Sequence, residues 1–172
     1  MKRIRELAFL ILAMVFAAGA FGAQGEEYER LPKPQPVDTP GKIEVIEFFW
    51  YGCPHCNALE SHVDEWEKQL SKDVAFRMEH VVWPGRPDIE AHARLYITLR
   101  ALGLLGQHHR AVFDAIHKEK AGLRSEKEIV DWAAKRGIDR AKFEATWKSF
   151  GVNAQVARAR DLTNRFEADG VP

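Results

Sequence analysis

The chain has 172 residues, of which 46% are hydrophobic and 29% are charged. This length and composition suit a hydrophobic core in one domain, or in one domain that carries an insertion. The 25 basic and 25 acidic residues balance, and no basic run is interleaved with aromatic side chains, which excludes nucleic acid as an expected partner.

Residues 1–22 have the pattern of a secretory signal peptide. Lys2, Arg3 and Arg5 precede an apolar run over residues 8–18, and small residues near position 22 suit a cleavage site. The run is too short to cross a bilayer, which makes an uncleaved membrane anchor the weaker alternative. Export would place the two cysteines in an oxidising compartment, where a disulfide persists.

A proline-rich region over residues 23–42 is followed by a strongly apolar one. The prolines at positions 32, 34, 36 and 40 predict an extended lead-in, with a short edge strand near residues 28–31. Residues 43–50 read I-E-V-I-E-F-F-W and leave hardly a polar position. They therefore predict a strand that is buried on both faces of a sheet.

This predicted strand leads directly into the only two cysteines, Cys53 and Cys56. Apolar residues then recur at helical spacing and predict a helix from Cys56 to about residue 71. Its apolar stripe comprises Leu59, Val63, Trp66 and Leu70. The cysteines thus lie at a helix N-terminus, where free N–H groups and a partial positive charge stabilise a thiolate at Cys53. We predict a redox-active pair in which the exposed Cys53 attacks disulfides and the deeper Cys56 resolves mixed disulfides.

Three nearby residues bear on this prediction. Pro54 suits the first helical turn, because its missing N–H would be unpaired there in any case. His55, when protonated, favours the Cys53 thiolate over the thiol. Glu47 has two interpretations: a buried acid with a raised pKa that exchanges protons with Cys56, or an acid at the strand edge that reaches water.

Other kinds of cysteine site are disfavoured. A structural disulfide across so short a loop would restrain the unfolded chain little. A structural zinc site normally needs four cysteine or histidine ligands in paired spacings, and no second pair occurs, so no metal is expected. A c-type haem site needs C-x-x-C-H, but Asn57 follows Cys56.

The rest of the chain predicts one further strand and a series of helices. Alternation over residues 74–82 predicts the strand, in which His80 is a structural histidine, and a turn follows at residues 84–88. Residues 87–150 have helical spacing in four segments, which is too many for a simple crossover and predicts an inserted helical subdomain. A last amphipathic helix over residues 152–166 returns the chain to the sheet.

Several polar residues of these helices have expected roles or positions. Ser125 and Glu128 form a capping box, and Asp139 caps the following helix. Four further polar residues are expected to face solvent: Glu60, His108, His109 and His117.

The segment F-F-W-Y-G-C-P-H-C, with Glu47 six residues before the first cysteine, resembles the active site of the DsbA family of thioredoxin-like proteins. The resemblance runs from about residue 28 to the last residue. It implies an α/β thioredoxin-like fold, formed by residues 43–86 and 151–172, with residues 87–150 as the inserted helical subdomain. It also implies that Glu47 is the buried acid, and that Pro172 is a cis-proline that lies against the cysteines and binds substrate backbone.

The same resemblance implies an activity and a cellular setting. Members of the family are periplasmic oxidases that donate their disulfide, here Cys53–Cys56, to folding exported polypeptides. It implies a monomer without a cofactor, reoxidised by a DsbB-like membrane quinone reductase, and a strongly depressed Cys53 pKa, for which DsbA is the general example. Such proteins continue beyond the proline with a hairpin and a final helix, so the sequence is expected to be a fragment.

Two other functions stay open on the sequence alone. A disulfide reductase or isomerase would use the same two cysteines in the opposite direction. A non-catalytic chaperone would bind extended peptides along the sheet and the helical subdomain, and would not need the cysteines.

Overall fold

The computed structural model describes residues 28–172. The predicted signal peptide, residues 1–22, lies outside this range. Residues 28–42 contain no helix or strand, so the edge strand predicted near residues 28–31 is wrong. The prolines at positions 32, 34 and 36, which follow directly, lack the backbone N–H groups with which a strand would continue. Pro34–Pro172 form one compact unit, which contains the helices and strands of residues 28–172.

A strand, a helix and a second strand form the first part of this unit. They are β1 (Ile43–Phe49), α1 (Pro54–Glu67) and β2 (Val74–His80). The strands are parallel, and their register runs from Ile43 opposite Val74 to Phe49 opposite His80. The expected burial of β1 on both faces is wrong, because only Phe49 is fully buried and the sheet has two strands within residues 28–172. A two-stranded sheet leaves edges and faces open to solvent.

Helix α1 begins at Pro54 and ends at Glu67, about one turn earlier than predicted. Its predicted apolar stripe is not its buried face: Trp66 is 41% exposed, with its ring edge-on to Phe76 at 5.4 Å between centroids. The buried residues of α1 are Cys56 and Glu60. The helix turns this side inward because the helix Leu105–His117 packs against it.

Five further helices complete the chain. They are α2 (Pro87–Ala101), α3 (Leu105–His117), α4 (Glu126–Lys135), α5 (Arg140–Trp147) and α6 (Phe150–Arg165). Helix α2 is central, because it contacts α3, α5, α6 and β2 and is buried on nearly all sides. Four helices follow β2 before the long α6, as the sequence predicts. The prediction of an α/β fold with a helical insertion is therefore confirmed.

The predicted helix starts are formed by side-chain caps. The Ser125 hydroxyl accepts a hydrogen bond from the Glu128 N–H at 3.3 Å. The Glu128 carboxylate accepts from the Arg124 N–H at 2.7 Å, one residue earlier than a standard capping box would place it. The Asp139 carboxylate accepts from the Lys142 N–H at 2.7 Å. These caps fix the starts of α4 and α5, which pack against each other.

Candidate active site

The link from β1 to α1 is a tight turn over residues 50–53. The Trp50 carbonyl accepts a hydrogen bond from the Cys53 N–H at 2.9 Å. The Trp50 indole lies so close to Gly52 that a Cβ atom there would be 2.3 Å from the ring. Glycine is therefore required before Cys53, which is the N-cap of α1. The Cys53 Sγ accepts from the Cys56 N–H at 3.5 Å, so the sulfur lies at the helix N-terminus.

Both cysteines are free thiols, and they differ in depth. Cys56 is 1% exposed and Cys53 is 6% exposed, so Cys56 is the deeper residue, as predicted. The expectation of an exposed Cys53 is wrong, because the loop at the end of the chain lies over it. The Cys53 thiol donates a hydrogen bond to the Val171 carbonyl at 3.5 Å, and the Val171–Pro172 peptide bond is cis.

The surroundings of Cys56 oppose its ionisation. Burial raises the pKa of the Cys56 thiol to about 12; a backbone hydrogen bond to Trp50 lowers it, and Cys53 and the Glu47 charge raise it. When both cysteines are reduced, Cys56 therefore keeps its proton at neutral pH. The pair is asymmetric, with one sulfur at a helix N-terminus and one in an apolar interior.

Glu47 is half-buried, with both of its carboxylate oxygens shielded from solvent. Neither of its oxygens has a hydrogen-bond partner within residues 28–172. Burial raises the pKa of this carboxyl to about 7, and the charges of Glu60 and Asp64 add to the effect. Its proton is therefore exchangeable near neutral pH. Of the two interpretations from sequence, the position of the side chain favours the buried acid.

Replacement of Glu47 by glutamine is expected to stabilise the protein at high pH. Folding raises the pKa of this carboxyl from 4.5 to about 7. The group does not reduce the free energy of unfolding below pH 4.5, and the reduction grows as the pH rises through about 7. The full shift corresponds to about 3 kcal/mol, and partial solvent access reduces the expected gain to about 1–2 kcal/mol at pH 8. Urea denaturation at pH 5 and pH 8 measures it.

The matched control for this prediction is Glu65→Gln, which removes an exposed carboxylate from α1. We expect no pH-dependent gain from the control. Equal stability of Glu47→Gln and the unsubstituted chain at pH 8 would contradict the prediction.

Three residues that were expected to face solvent make contacts inside the protein, where Glu60 is buried and His109 and His117 are half-buried. Glu60 is 4% exposed, and its Oε1 is 3.0 Å from His109 Nε2. The other ring nitrogen of His109 lies 2.7 Å from the Tyr51 hydroxyl. His117 Nε2 lies 2.8 Å from the Tyr51 carbonyl oxygen. The expectation fails because α3 packs against α1 and the turn. Positions 109, 113 and 117 follow helical spacing, and this signal in the sequence was missed.

The structure brings most of the predicted site residues together. Pro54 and His55 are exposed in the first turn of α1, beside Cys53 and Cys56. His80 is buried with both ring nitrogens engaged, which confirms that it is structural. Within residues 28–172, no group of three histidine, cysteine or acidic side chains is arranged to hold a metal ion.

A family model described as a DSBA-like thioredoxin domain matches residues 44–172. The chain belongs to this DsbA-like family. The thiol:disulfide interchange protein DsbA of Pseudomonas aeruginosa is 38% identical over 175 residues, which cover 100% of this chain and 82% of that protein. DsbA of Azotobacter vinelandii is 40% identical over 148 residues, which cover 86% of this chain and 68% of that protein.

Solved structures of DsbA proteins share the fold. The crystal structure of Pseudomonas aeruginosa DsbA superimposes with a TM-score of 0.77 and 40% sequence identity, over 83% of this chain and 73% of that chain. The oxidoreductase NmDsbA1 from N. meningitidis has a TM-score of 0.72 and 32% identity, over 83% of this chain and 74% of that chain. The thioredoxin-like fold is therefore confirmed, and this DsbA-like chain is a protein disulfide oxidoreductase.

Proposed function

We propose that the chain forms disulfide bonds in exported polypeptides by donating a Cys53–Cys56 disulfide. The observation that carries this proposal is the asymmetry of the pair. The Cys53 sulfur lies where the Cys56 N–H and the N-terminus of α1 favour negative charge. Cys56 is buried with a pKa raised to about 12. Cys53 is thus suited to leave as a thiolate, and Cys56 to stay protonated.

The reaction begins with a thiolate of the substrate. It attacks the Cys53 sulfur of the oxidised pair, so a substrate–Cys53 disulfide forms and the Cys53–Cys56 bond breaks. Cys56 leaves and takes up a proton. A second substrate thiolate then attacks the substrate's own sulfur and releases Cys53 as a thiolate. The substrate loses two electrons and the chain gains them, so no further oxidant enters this half-reaction.

Glu47 supplies the proton in this proposal. Its buried carboxyl, with a pKa raised to about 7, is protonated in a useful fraction of molecules at neutral pH. Its charge raises the pKa of Cys56, so the two groups are electrostatically linked. Glu47 therefore gives a proton to Cys56 as that sulfur leaves, and recovers it on reoxidation.

The remaining predicted site residues have positioning or binding roles in this proposal. Pro54 fixes the first turn of α1, and His55 favours the Cys53 thiolate when protonated. The loop that ends in Pro172 lies against Cys53 through the Val171 carbonyl. This loop binds the backbone of the substrate beside the cysteine that is attacked.

The cellular setting of this proposal rests on family membership. We place the chain in the periplasm after removal of residues 1–22, as a monomer without a cofactor. A DsbB-like membrane quinone reductase reoxidises it there. Among residues 28–172, no helix has the length and apolar composition that crossing a membrane requires. Residues 43–86 and 151–172 form the thioredoxin-like domain of the proposal, residues 87–150 its insertion and residues 23–42 its lead-in.

The test is the oxidation of a reduced peptide that contains two cysteines. Mixed with the oxidised chain in anaerobic buffer, the peptide is expected to gain one disulfide for each two thiols that appear in the chain. Thiol counting and mass spectrometry measure both. The control is the chain with both cysteines alkylated, which should leave the peptide reduced. A peptide that stays reduced beside the unalkylated, oxidised chain would contradict the proposal.

A further inference from the structure

Three histidines converge on Tyr51, the residue two positions before Cys53. We define His80, His109 and His117 as the histidine clamp. His80 Nε2 accepts a hydrogen bond from the Tyr51 N–H at 3.2 Å. His117 Nε2 donates one to the Tyr51 carbonyl at 2.8 Å. His109 Nδ1 lies 2.7 Å from the Tyr51 hydroxyl. Every polar group of Tyr51 thus has a histidine as its partner.

Carbonyl partners fix the ring protons of two clamp histidines, since a carbonyl oxygen only accepts: His117 donates from Nε2 and His80 from Nδ1. His80 Nδ1 lies 2.9 Å from the Val81 carbonyl and must donate to it, which leaves Nε2 free to accept from Tyr51. His109 Nε2 lies 3.0 Å from a Glu60 carboxylate oxygen, at ion-pair distance but without the geometry of a hydrogen bond. Burial raises the pKa of Tyr51 well above its ordinary value, so its hydroxyl keeps its proton at neutral pH and pairs with His109 Nδ1.

The clamp supplies hydrogen-bond partners for the backbone groups of Tyr51. Strand β1 ends at Phe49 and α1 begins at Pro54, so the backbone groups of Tyr51 belong to neither element. Buried N–H and C=O groups require partners, and leaving one unpaired costs as much as losing a hydrogen bond. The partners come from β2 and α3, which are distant in sequence from the turn. The turn that presents Cys53 is therefore located by other parts of the fold.

We infer that His80, His109 and His117 are positioning residues for the redox pair. The inference rests on the proposed function of Cys53 and Cys56. Tyr51 is a central residue of the turn over residues 50–53. The hydrogen bond from the Cys53 N–H to the Trp50 carbonyl closes this turn and places the Cys53 sulfur at the N-terminus of α1. Loosening Tyr51 lets the sulfur move away from the N–H groups that stabilise its anion. The reduced form then loses stability relative to the disulfide, and the chain becomes a weaker oxidant.

The test compares the redox equilibrium of four variants with glutathione. His117→Leu removes the N–H donor to the Tyr51 carbonyl. Tyr51→Phe removes the hydroxyl that contacts His109 and keeps the packing of the ring. Each is expected to change the equilibrium constant about threefold or more toward the disulfide form, as the loss of one buried hydrogen bond implies. His117→Gln keeps an N–H donor and should recover most of the original value. The control His108→Leu changes a neighbouring ring that contacts Trp132 and should have no effect.

Thermal unfolding of each variant separates positioning from simple stabilisation. A melting temperature that falls while the equilibrium constant stays at its original value in both His117→Leu and Tyr51→Phe would overturn the inference. Tyr51→Phe decides the question alone should His117→Leu not fold. An unsubstituted chain that does not exchange disulfides with glutathione would instead overturn the proposed function, and the clamp's role with it.

Discussion

Replacement of Cys53 by serine is expected to abolish disulfide donation to a reduced peptide. The variant cannot form the Cys53–Cys56 disulfide, and its remaining thiol, Cys56, is 1% exposed, with burial raising its pKa above the usual range for cysteine. A serine hydroxyl cannot take part in disulfide exchange. We expect no peptide disulfide above the rate of air oxidation, measured by mass spectrometry after acid quenching.

The paired variant, Cys56→Ser, should behave differently although it also lacks the disulfide. Its Cys53 sulfur remains at the N-terminus of α1 and attacks the disulfide of an oxidised peptide, which releases one peptide thiol and leaves the other sulfur bonded to Cys53. The chain then has no second thiol of its own with which to break this mixed disulfide. A covalent adduct of chain and peptide should therefore accumulate, and it should be absent from Cys53→Ser. An adduct with Cys53→Ser and none with Cys56→Ser would assign the attacking sulfur to Cys56.

The parts of the fold that the sequence predicts are those set by neighbouring residues. The apolar run before Gly52 places a strand, and helical spacing after Cys56 places a helix, whatever the rest of the chain does. Asp139 forms its cap because a short acceptor at a helix start meets a free N–H two or three residues later. The order of β1, Cys53 and α1 follows from such local rules, and with it the asymmetry of the cysteines.

The errors concern contacts between segments that are distant in sequence. His109 is 58 positions from Tyr51, and no local pattern indicates that its ring meets the Tyr51 hydroxyl. A polar helix position is more often solvated than buried, so Glu60 was expected to face water. The burial of these side chains depends on which face α1 and α3 present to each other. The spacing of positions 109, 113 and 117 places them on one face of α3, but the segments that this face meets are set by packing between helices.

The same packing is expected to make Phe49→Ala the most destabilising substitution considered for this chain. Phe49 is 0% exposed, and its ring meets those of Tyr51, Tyr96 and His109 edge-on at 5.1–5.5 Å between centroids. Truncation removes these contacts and leaves a cavity at the end of β1, at a cost of about 3–5 kcal/mol. Since domains are stable by about 5–15 kcal/mol, much of that margin would be lost.

Urea denaturation followed by far-ultraviolet circular dichroism measures this loss, and Phe150→Ala is the matched control. Phe150 is 86% exposed at the start of α6, so its truncation should change the free energy of unfolding by about 0.5 kcal/mol or less. Equal effects of the two substitutions would mean that the aromatic cluster around Phe49 does not form. The cluster includes Tyr51 and His109, so the histidine clamp would then lose its support as well. A large loss of unfolding free energy in Phe49→Ala alone would show that the stability of the core depends on the aromatic cluster that includes Tyr51 and His109, the residues that position the turn before Cys53.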